Sequence, residues 1–191
     1  MTDVTNIMLV GVGGQGTILV STLLAKGLID AGYDVKMSEI HGMAQRGGSV
    51  STQVRFGKKV HSPLIGEGDA DYLVSFEKME AMRWLKQLKP SGRVVVNDYR
   101  IDSSPILAGK AQYPEKALTL LAGCAETTVV DAATIAGELG NLRVMNVVLF
   151  GALVAQLGLN DIDWRKVVTQ TVKPAFVDIN LKAFEAGLNA A

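Results

Sequence analysis

The amino-acid sequence predicts a single α/β domain over residues 1–191: three layers, a mostly parallel sheet carrying an antiparallel hairpin, and a helical C-terminal part. Three observations predict it. Short aliphatic runs alternate with helix-length segments along the first part of the chain, a glycine-rich turn follows the first run, and the last third turns to consecutive helices. That combination is Rossmann-like. A length of 191 residues suits one full core, and 48% hydrophobic residues with 6% aromatics indicate aliphatic packing between helices and sheet.

The elements follow in order. Ile7-Met8-Leu9-Val10 reads as a buried parallel strand, and Thr17 to Ala31 as the returning helix, closed by Gly32. Asp34 to Ile40 is a second strand. The alternation Val50-Ser51-Thr52-Gln53-Val54-Arg55-Phe56 before Gly57-Lys58-Lys59 predicts one hairpin arm, with Val60 and its neighbours as the other. Tyr72 to Ser75 gives a strand leading into a helix from Phe76 to Leu88, and Arg93 to Asn97 gives another after Gly92. Pro114 opens a short helix, Thr127 to Val130 is a strand, and Asp131 is placed to cap the helix after it. Val144 to Leu157 is apolar almost all round except at Asn146 and Gln156, and reads as a buried helix too short for a bilayer. Its Gly151, Ala152 and Ala155 permit close helix contact. The last helix carries Val177, Leu181, Phe184 and Leu188 on one stripe, to dock on the domain or on a partner chain.

Composition narrows the function. Lys+Arg and Asp+Glu each number 19, so the net charge is zero and nothing suggests electrostatic capture of nucleic acid or of an acidic membrane. Cys124, the only cysteine, can neither close an internal disulfide nor hold an iron–sulfur cluster alone, which fits a reducing compartment. No basic stretch followed by a long apolar run opens the sequence, so a cytoplasmic location is expected.

Two glycine-bearing segments carry the chemistry. Gly11-Val12-Gly13-Gly14-Gln15-Gly16 is a strand-to-helix turn whose backbone N–H groups and helix dipole favour an anion. Ile40 to Val50, after the second strand, brings His41, Gln45 and Arg46 to the same sheet edge. Gly11, Gly13 and Gly16 match G-x-G-x-x-G, and Glu39 stands where a ribose-binding acid is expected, so a stand-alone NAD(P)-dependent enzyme or a noncatalytic nucleotide-binding module are alternative readings. His41 and His61 lack metal-site spacing. Asp69 and Asp71 read as a turn before a strand, with cation ligation as the alternative. Glu77 and Glu80 suit the first turn of a helix, although Glu77 also lies near enough to the edge for a ligand or partner contact. Asn97 and Asp98 read as caps, and Cys124 as a small buried residue.

The first glycine motif and, more specifically, Glu39-Ile40-His41-Gly42-Met43-Ala44-Gln45-Arg46-Gly47-Gly48-Ser49-Val50 resemble the beta subunit of indolepyruvate ferredoxin oxidoreductase. That subunit is similar to the gamma domain of pyruvate and other 2-oxoacid ferredoxin oxidoreductases. The resemblance runs over essentially the whole chain, including Ser75 to Arg83, Val94 to Asn97 and Asn141 to Gly151. It implies a complex that converts an aryl pyruvate, coenzyme A and oxidised ferredoxin to an aryl acetyl-CoA, carbon dioxide and reduced ferredoxin. It also implies that thiamine diphosphate and 4Fe-4S clusters sit on a partner alpha subunit, because this chain has no cysteine array and Gly66-Glu67-Gly68-Asp69 is not a thiamine motif. The chain alone is then expected to be inactive. Within such a complex, Gly11, Gly13, Gly14, Gln15 and Gly16 are expected to receive an anionic group such as a coenzyme A phosphate or a partner carboxylate. Arg46 is suited to hold a carboxylate or phosphate through two donors, with Gln45 and His41 orienting it. In an equally physical version the same loop packs on the alpha subunit without touching substrate.

Overall fold

The computed structural model describes residues 4–41 and 47–191. Six strands form one sheet in the order β2-β3-β1-β4-β5-β6. They are β1 (Val4–Val12), β2 (Asp34–His41), β3 (Ser49–Gly57), β4 (Ala70–Ser75), β5 (Leu88–Asn97) and β6 (Glu126–Val130). β1, β4, β5 and β6 are parallel neighbours, and β3 runs antiparallel to both β1 and β2. The helices are α1 (Thr17–Asp30), α2 (Lys78–Trp84), α3 (Ser104–Leu107), α4 (Ala117–Cys124), α5 (Ala132–Glu138), α6 (Met145–Leu157), α7 (Trp164–Thr171) and α8 (Val177–Asn189).

β1 is continuously apolar from Ile7 to Val10 because both of its faces are covered there. Ile7 and Leu9 join the larger core beneath α1 and α5 to α8, whereas Met8 and Val10 join a second core with Ala81 of α2 and Leu121 of α4. These two cores and the sheet between them are the three expected layers. No helix among the described residues is long and apolar enough to cross a membrane.

The hairpin is real, but its second arm is not the segment around Val60. β3 pairs with β2 from Asp34↔Gly57 to His41↔Val50, and with β1 from Val4↔Gly57 to Val12↔Ser49. Val60 is buried outside any strand, its N–H donating to Asp34 Oδ2 at 2.9 Å. The stretch after β3 instead straps the second face. Arg55 donates to the carbonyls of Ser62 and Leu64, both at 2.9 Å, and Gln53 Oε1 accepts the N–H of Ile65 at 2.5 Å. Alternation gave the strand; these side chains decide what the chain does next.

α2 is shorter than predicted and begins two residues later. Glu77 caps it, its Oε2 accepting from Glu80 N at 2.9 Å, which leaves Phe76 in the strand-to-helix turn. A 3₁₀ turn at Leu85–Gln87 then feeds β5, which starts at Leu88 rather than Arg93. Asp131 caps α5 as expected, with Oδ1 3.0 Å from Thr134 N. Cys124 is exposed, not buried: Leu121 and Ala125, four residues apart, turn toward the second core, and Cys124 lies about a third of a turn off that line.

The C-terminal helices form a close-packed unit. A Cβ on Gly187 would lie 1.9 Å from the carbonyl oxygen of Val148, and one on Gly151 would lie 2.2 Å from that of Phe184, so α6 and α8 touch backbone to backbone. The stripe on α8 therefore docks on the domain itself. Phe150 stacks against Phe184 with ring centroids 5.5 Å apart and meets Trp164 edge-on, while Trp164 covers Gly27 of α1.

Candidate functional site

The glycine turn at the carboxyl edge of β1 is shaped by its own side chains. Gln15 folds back over Gly11: its Oε1 accepts Val12 N at 2.8 Å and its Nε2 donates to Phe76 O at 2.8 Å. Asn97 Nδ2 reaches the same carbonyl at 3.4 Å and its Oδ1 accepts Ala132 N at 3.1 Å. Two side-chain amides thus lace together the ends of β1, β4 and β5 and the start of α5. A Cβ on Gly11 would meet Gln15 Oε1 at 2.9 Å and Phe76 Cβ at 3.0 Å, so only glycine leaves room for this clasp.

Not every amide of the turn is available to a ligand. Gly13 donates to Gly48 O at 2.8 Å and Gly47 donates to Gly13 O at 3.2 Å, extending the β1–β3 ladder into the turn. Gly14, Gly16, Thr17 and Ile18 have no acceptor for their N–H groups among the described residues. These donors, with the positive end of α1, face an open cleft of about 340 Å³ lined by Gly13, Gly14, Gly16, Thr17, Ile18, His41 and Val50.

Of the predicted site residues, the structure brings His41 and the glycines together: His41, exposed at the end of β2, pairs with Val50 and lines this cleft. Gln15 serves as the clasp instead of pointing into the cleft, although it borders an adjoining cavity. Gln45 and Arg46 lie outside the described residues. Glu39 is exposed on the same face, 3.4 Å from the Ser21 hydroxyl of α1.

The remaining polar candidates have structural work. Glu77 is fully buried: besides capping α2, its Oε1 accepts from the Tyr113 hydroxyl and, at 3.3 Å, from Ile101 N. No ligand or partner contact is open to it. Burial first, and then the bond to the Glu77 carboxylate, hold the Tyr113 hydroxyl well above the ordinary tyrosine range. Asp71 accepts Asn6 N at 2.8 Å and Lys89 Nζ at 2.6 Å, and Asp98 pairs with Lys78 at 2.6 Å.

Two groups escaped the sequence reading. Asn146, buried at the start of α6, directs Nδ2 to Gly16 O at 3.4 Å, and a Cβ on Gly16 would come within 2.2 Å of that Nδ2. With Gly14, Gln15, Leu142, Arg143 and Met145 it lines the adjoining cavity of about 410 Å³. Its signal was visible as the polar break in an apolar helix. On the other face, the buried Glu80 carboxylate accepts from the Ser49 hydroxyl and from Arg83 Nε at 3.0 Å, and Trp84 Nε1 lies 3.4 Å from the same hydroxyl. Ser49 lies within the second glycine segment, so that signal too was in the sequence.

Comparison with known proteins decides the family. A family profile described as pyruvate ferredoxin/flavodoxin oxidoreductase matches residues 6–190. The chain belongs to that family. It is 39% identical to the Indolepyruvate oxidoreductase subunit IorB of Thermococcus kodakarensis, over 97% of this chain and 95% of that one. The keto/oxoacid ferredoxin oxidoreductase gamma subunit of Geobacter sulfurreducens superposes with a TM-score of 0.71 at 26% identity, covering 98% of both chains. A 2-oxoglutarate:ferredoxin oxidoreductase from Magnetococcus marinus has the same fold, with a TM-score of 0.75 at 20% identity. The match covers all 100% of this chain but 31% of that one. The whole-chain resemblance read from the glycine segments therefore holds, as does the mixed α/β fold.

Proposed function

We propose that this chain is the beta subunit of a ferredoxin-dependent 2-oxoacid oxidoreductase acting on indolepyruvate or a related aryl pyruvate. Its glycine-lined edge completes a catalytic centre housed on a larger alpha subunit, and the chain alone is inactive. The observation that carries this reading is the juxtaposition of unspent N–H donors at Gly14, Gly16, Thr17 and Ile18 with His41 in one open cleft, in a chain 39% identical to an indolepyruvate oxidoreductase subunit. Both flanks of residues 42–46 meet this turn, His41 through the cleft and Gly47 through Gly13 O, which supports a role for Gln45 and Arg46 there.

The donor chemistry sets the division of labour. Cys124, the only cysteine, is exposed at the end of α4, so this chain does not fit an iron–sulfur cluster. An anionic group does fit the cleft, because four amides without an acceptor among the described residues and the α1 dipole offer fixed partial positive charge, with no carboxylate in the described lining. That group is a coenzyme A phosphate or a partner carboxylate, held by the amides while His41 borders it and Arg46 neutralises it. Thiamine diphosphate, on the alpha subunit, supplies the carbanion stabilisation that decarboxylation needs. The stand-alone NAD(P) reading draws less support, because the Val12 and Gly13 amides are spent on Gln15 and Gly48.

Coexpression with the large subunit tests the reading directly: a brown, thiamine-dependent oxidase that reduces ferredoxin with an aryl pyruvate should copurify. Arg46→Ala should cut its turnover while the isolated chain stays folded; unchanged steady-state rates remove Arg46 from the site. Micromolar binding of NAD or NADP by the purified chain would instead favour the nucleotide readings.

A further inference from the structure

Beyond the glycine cleft, two exposed cations line a single cavity. Arg143 lies in the 3₁₀ turn Leu142–Val144 that runs into α6, and Lys173 caps the 3₁₀ turn that leads into α8. A helix N-terminus is positively polarised, so acids are the favoured residues there and cations raise the energy of the free chain. No ion pair among the described residues includes Arg143 or Lys173, whereas Lys26, Lys36, Arg93 and Arg165 find acids on α1, β2, β6 and α8.

Both cations line a cavity of about 370 Å³ between α1 and the α6–α8 unit, walled by Leu19, Val144, Val172 and Phe176 and without a carboxylate in its lining. It adjoins the cavity at Asn146 through Arg143, and that one adjoins the glycine cleft through Gly14 and Gly16. Along this trough three large apolar side chains are exposed: Ile18 at 60%, Leu142 at 57% and Phe176 at 47%. Scattered exposed aliphatics need no explanation, but three bordering one continuous depression mark a surface that is covered in use.

We propose that this trough is where the large subunit docks, and that its occupant is a protein segment combining an apolar side chain, seated between Leu19 and Phe176, with acidic side chains against Arg143 and Lys173. The inference rests on the reading of the chain as one subunit of a larger oxidoreductase. The occupant is a protein rather than a small anion, because the apolar rim from Ile18 to Phe176 spans all three depressions and a molecule filling the 370 Å³ cavity would leave Ile18 and Leu142 uncovered. Its acidity follows from charge complementarity with Arg143 and Lys173, in a cavity whose described lining holds no carboxylate.

The test is assembly with the coexpressed large subunit, measured as the dissociation constant of the purified pair at several salt concentrations. The double variant Arg143→Glu/Lys173→Glu should weaken association by about tenfold or more and flatten its salt dependence. Phe176→Ser should weaken it without changing the salt slope, and Lys110→Glu, on an exposed loop remote from the trough, should leave it unchanged. Both cations are exposed, so thermal unfolding of the isolated chain should not move; if the charge reversals do disturb folding, Arg143→Gln/Lys173→Gln repeats the test with half the charge change. Wild-type affinity in the double variant overturns the docking site and leaves the functional reading standing. Unchanged assembly together with loss of phenylacetate binding by the isolated double variant also overturns it, making the cavity a small-carboxylate site. A wild-type chain that never associates with the large subunit overturns both.

Discussion

Gly16 is where the site and the fold constrain each other most tightly, and replacing it with alanine gives a prediction whose parts can be separated. Gly16 has φ +84°, left-handed backbone that costs an L-residue about 1–2 kcal/mol. The new Cβ would also sit 2.2 Å from Asn146 Nδ2 and 3.2 Å from its Cγ, but 3.5 Å from its Cβ, which is ordinary contact. Asn146 must therefore rotate its amide away, giving up the bond to Gly16 O and reorienting a polar group that is only 7% exposed. Losing that bond costs about 1 kcal/mol more. Gly16→Ala should thus destabilise the chain by about 2–3 kcal/mol, read as a fall in Tm of roughly 4–12 °C for a domain of this size. In an Asn146→Ala background only the backbone term remains, so the same substitution should cost about 1 kcal/mol less. Chemical denaturation of the wild type, both single variants and the double variant closes the cycle. Additive effects within about 0.3–0.5 kcal/mol would refute the argument that Asn146 and Gly16 fit each other.

Other consequences follow from the packing and the charges. Gly187→Ala must part α6 from α8, since its Cβ would lie 1.9 Å from Val148 O; a loss of about 2–4 kcal/mol in denaturant unfolding is expected despite alanine's better helix propensity, and a Tm within 2 °C of wild type, roughly the shift from 1 kcal/mol, would contradict it. Tyr113 should stay protonated in an alkaline absorbance titration well past the ordinary tyrosine value of 10.0. Its folded value is raised, so the stability it contributes is complete below the ordinary value of 10.0 and is lost as pH rises through the folded value. Tyr113→Phe should remove that dependence and cost about 1–2 kcal/mol by leaving the buried Glu77 carboxylate short of a donor. Asp34 is held down at about 2, first by its bond to Lys36 and then by the Val60 N–H. Its contribution is therefore present above the ordinary value of 3.8 and lost as pH falls through about 2; a carboxyl carbon titration should find that midpoint, and one near 3.8 would show that the strap beside β2 is not held by this carboxylate.

What the sequence made legible follows from which interactions are local. β1 was readable because a strand covered on both faces must be apolar at every position, and Ile7 to Val10 are all buried. The alternation of β3 was equally plain, yet its partner was misread, because alternation says which side chains face the core and nothing about which strand lies alongside. Pairing there is decided by Asp34, which captures Val60 N, and by Arg55 and Gln53, which pull the following chain across the second face. The end of α2 slipped for a similar reason: Glu77 fits a first-turn acid by pattern, but as a cap it excludes Phe76 from the helix.

The glycine turn divides in the same way. Its position after β1 and before α1 was legible, since a strand, a turn and a helix follow one another in sequence. How many of its amides remain free was not, because the Gly13 amide is consumed by Gly48 O, which only folding brings near, and the Val12 amide by the Gln15 side chain, whose fold-back the spacing alone does not reveal. Asn146 lies 130 residues from the carbonyl it touches, so a polar break in an apolar helix could be noticed without its partner being named. The same logic applies to Arg143 and Lys173. Each is unremarkable in sequence; together they line one apolar cavity, and neither has an ion-pair partner among the described residues. The cavity lined by both cations shares Arg143 and Asn146 with the cavity beside it, and that one shares Gly14 and Gly16 with the glycine cleft, so docking of a large subunit along the proposed trough would make assembly and completion of the cleft parts of one event.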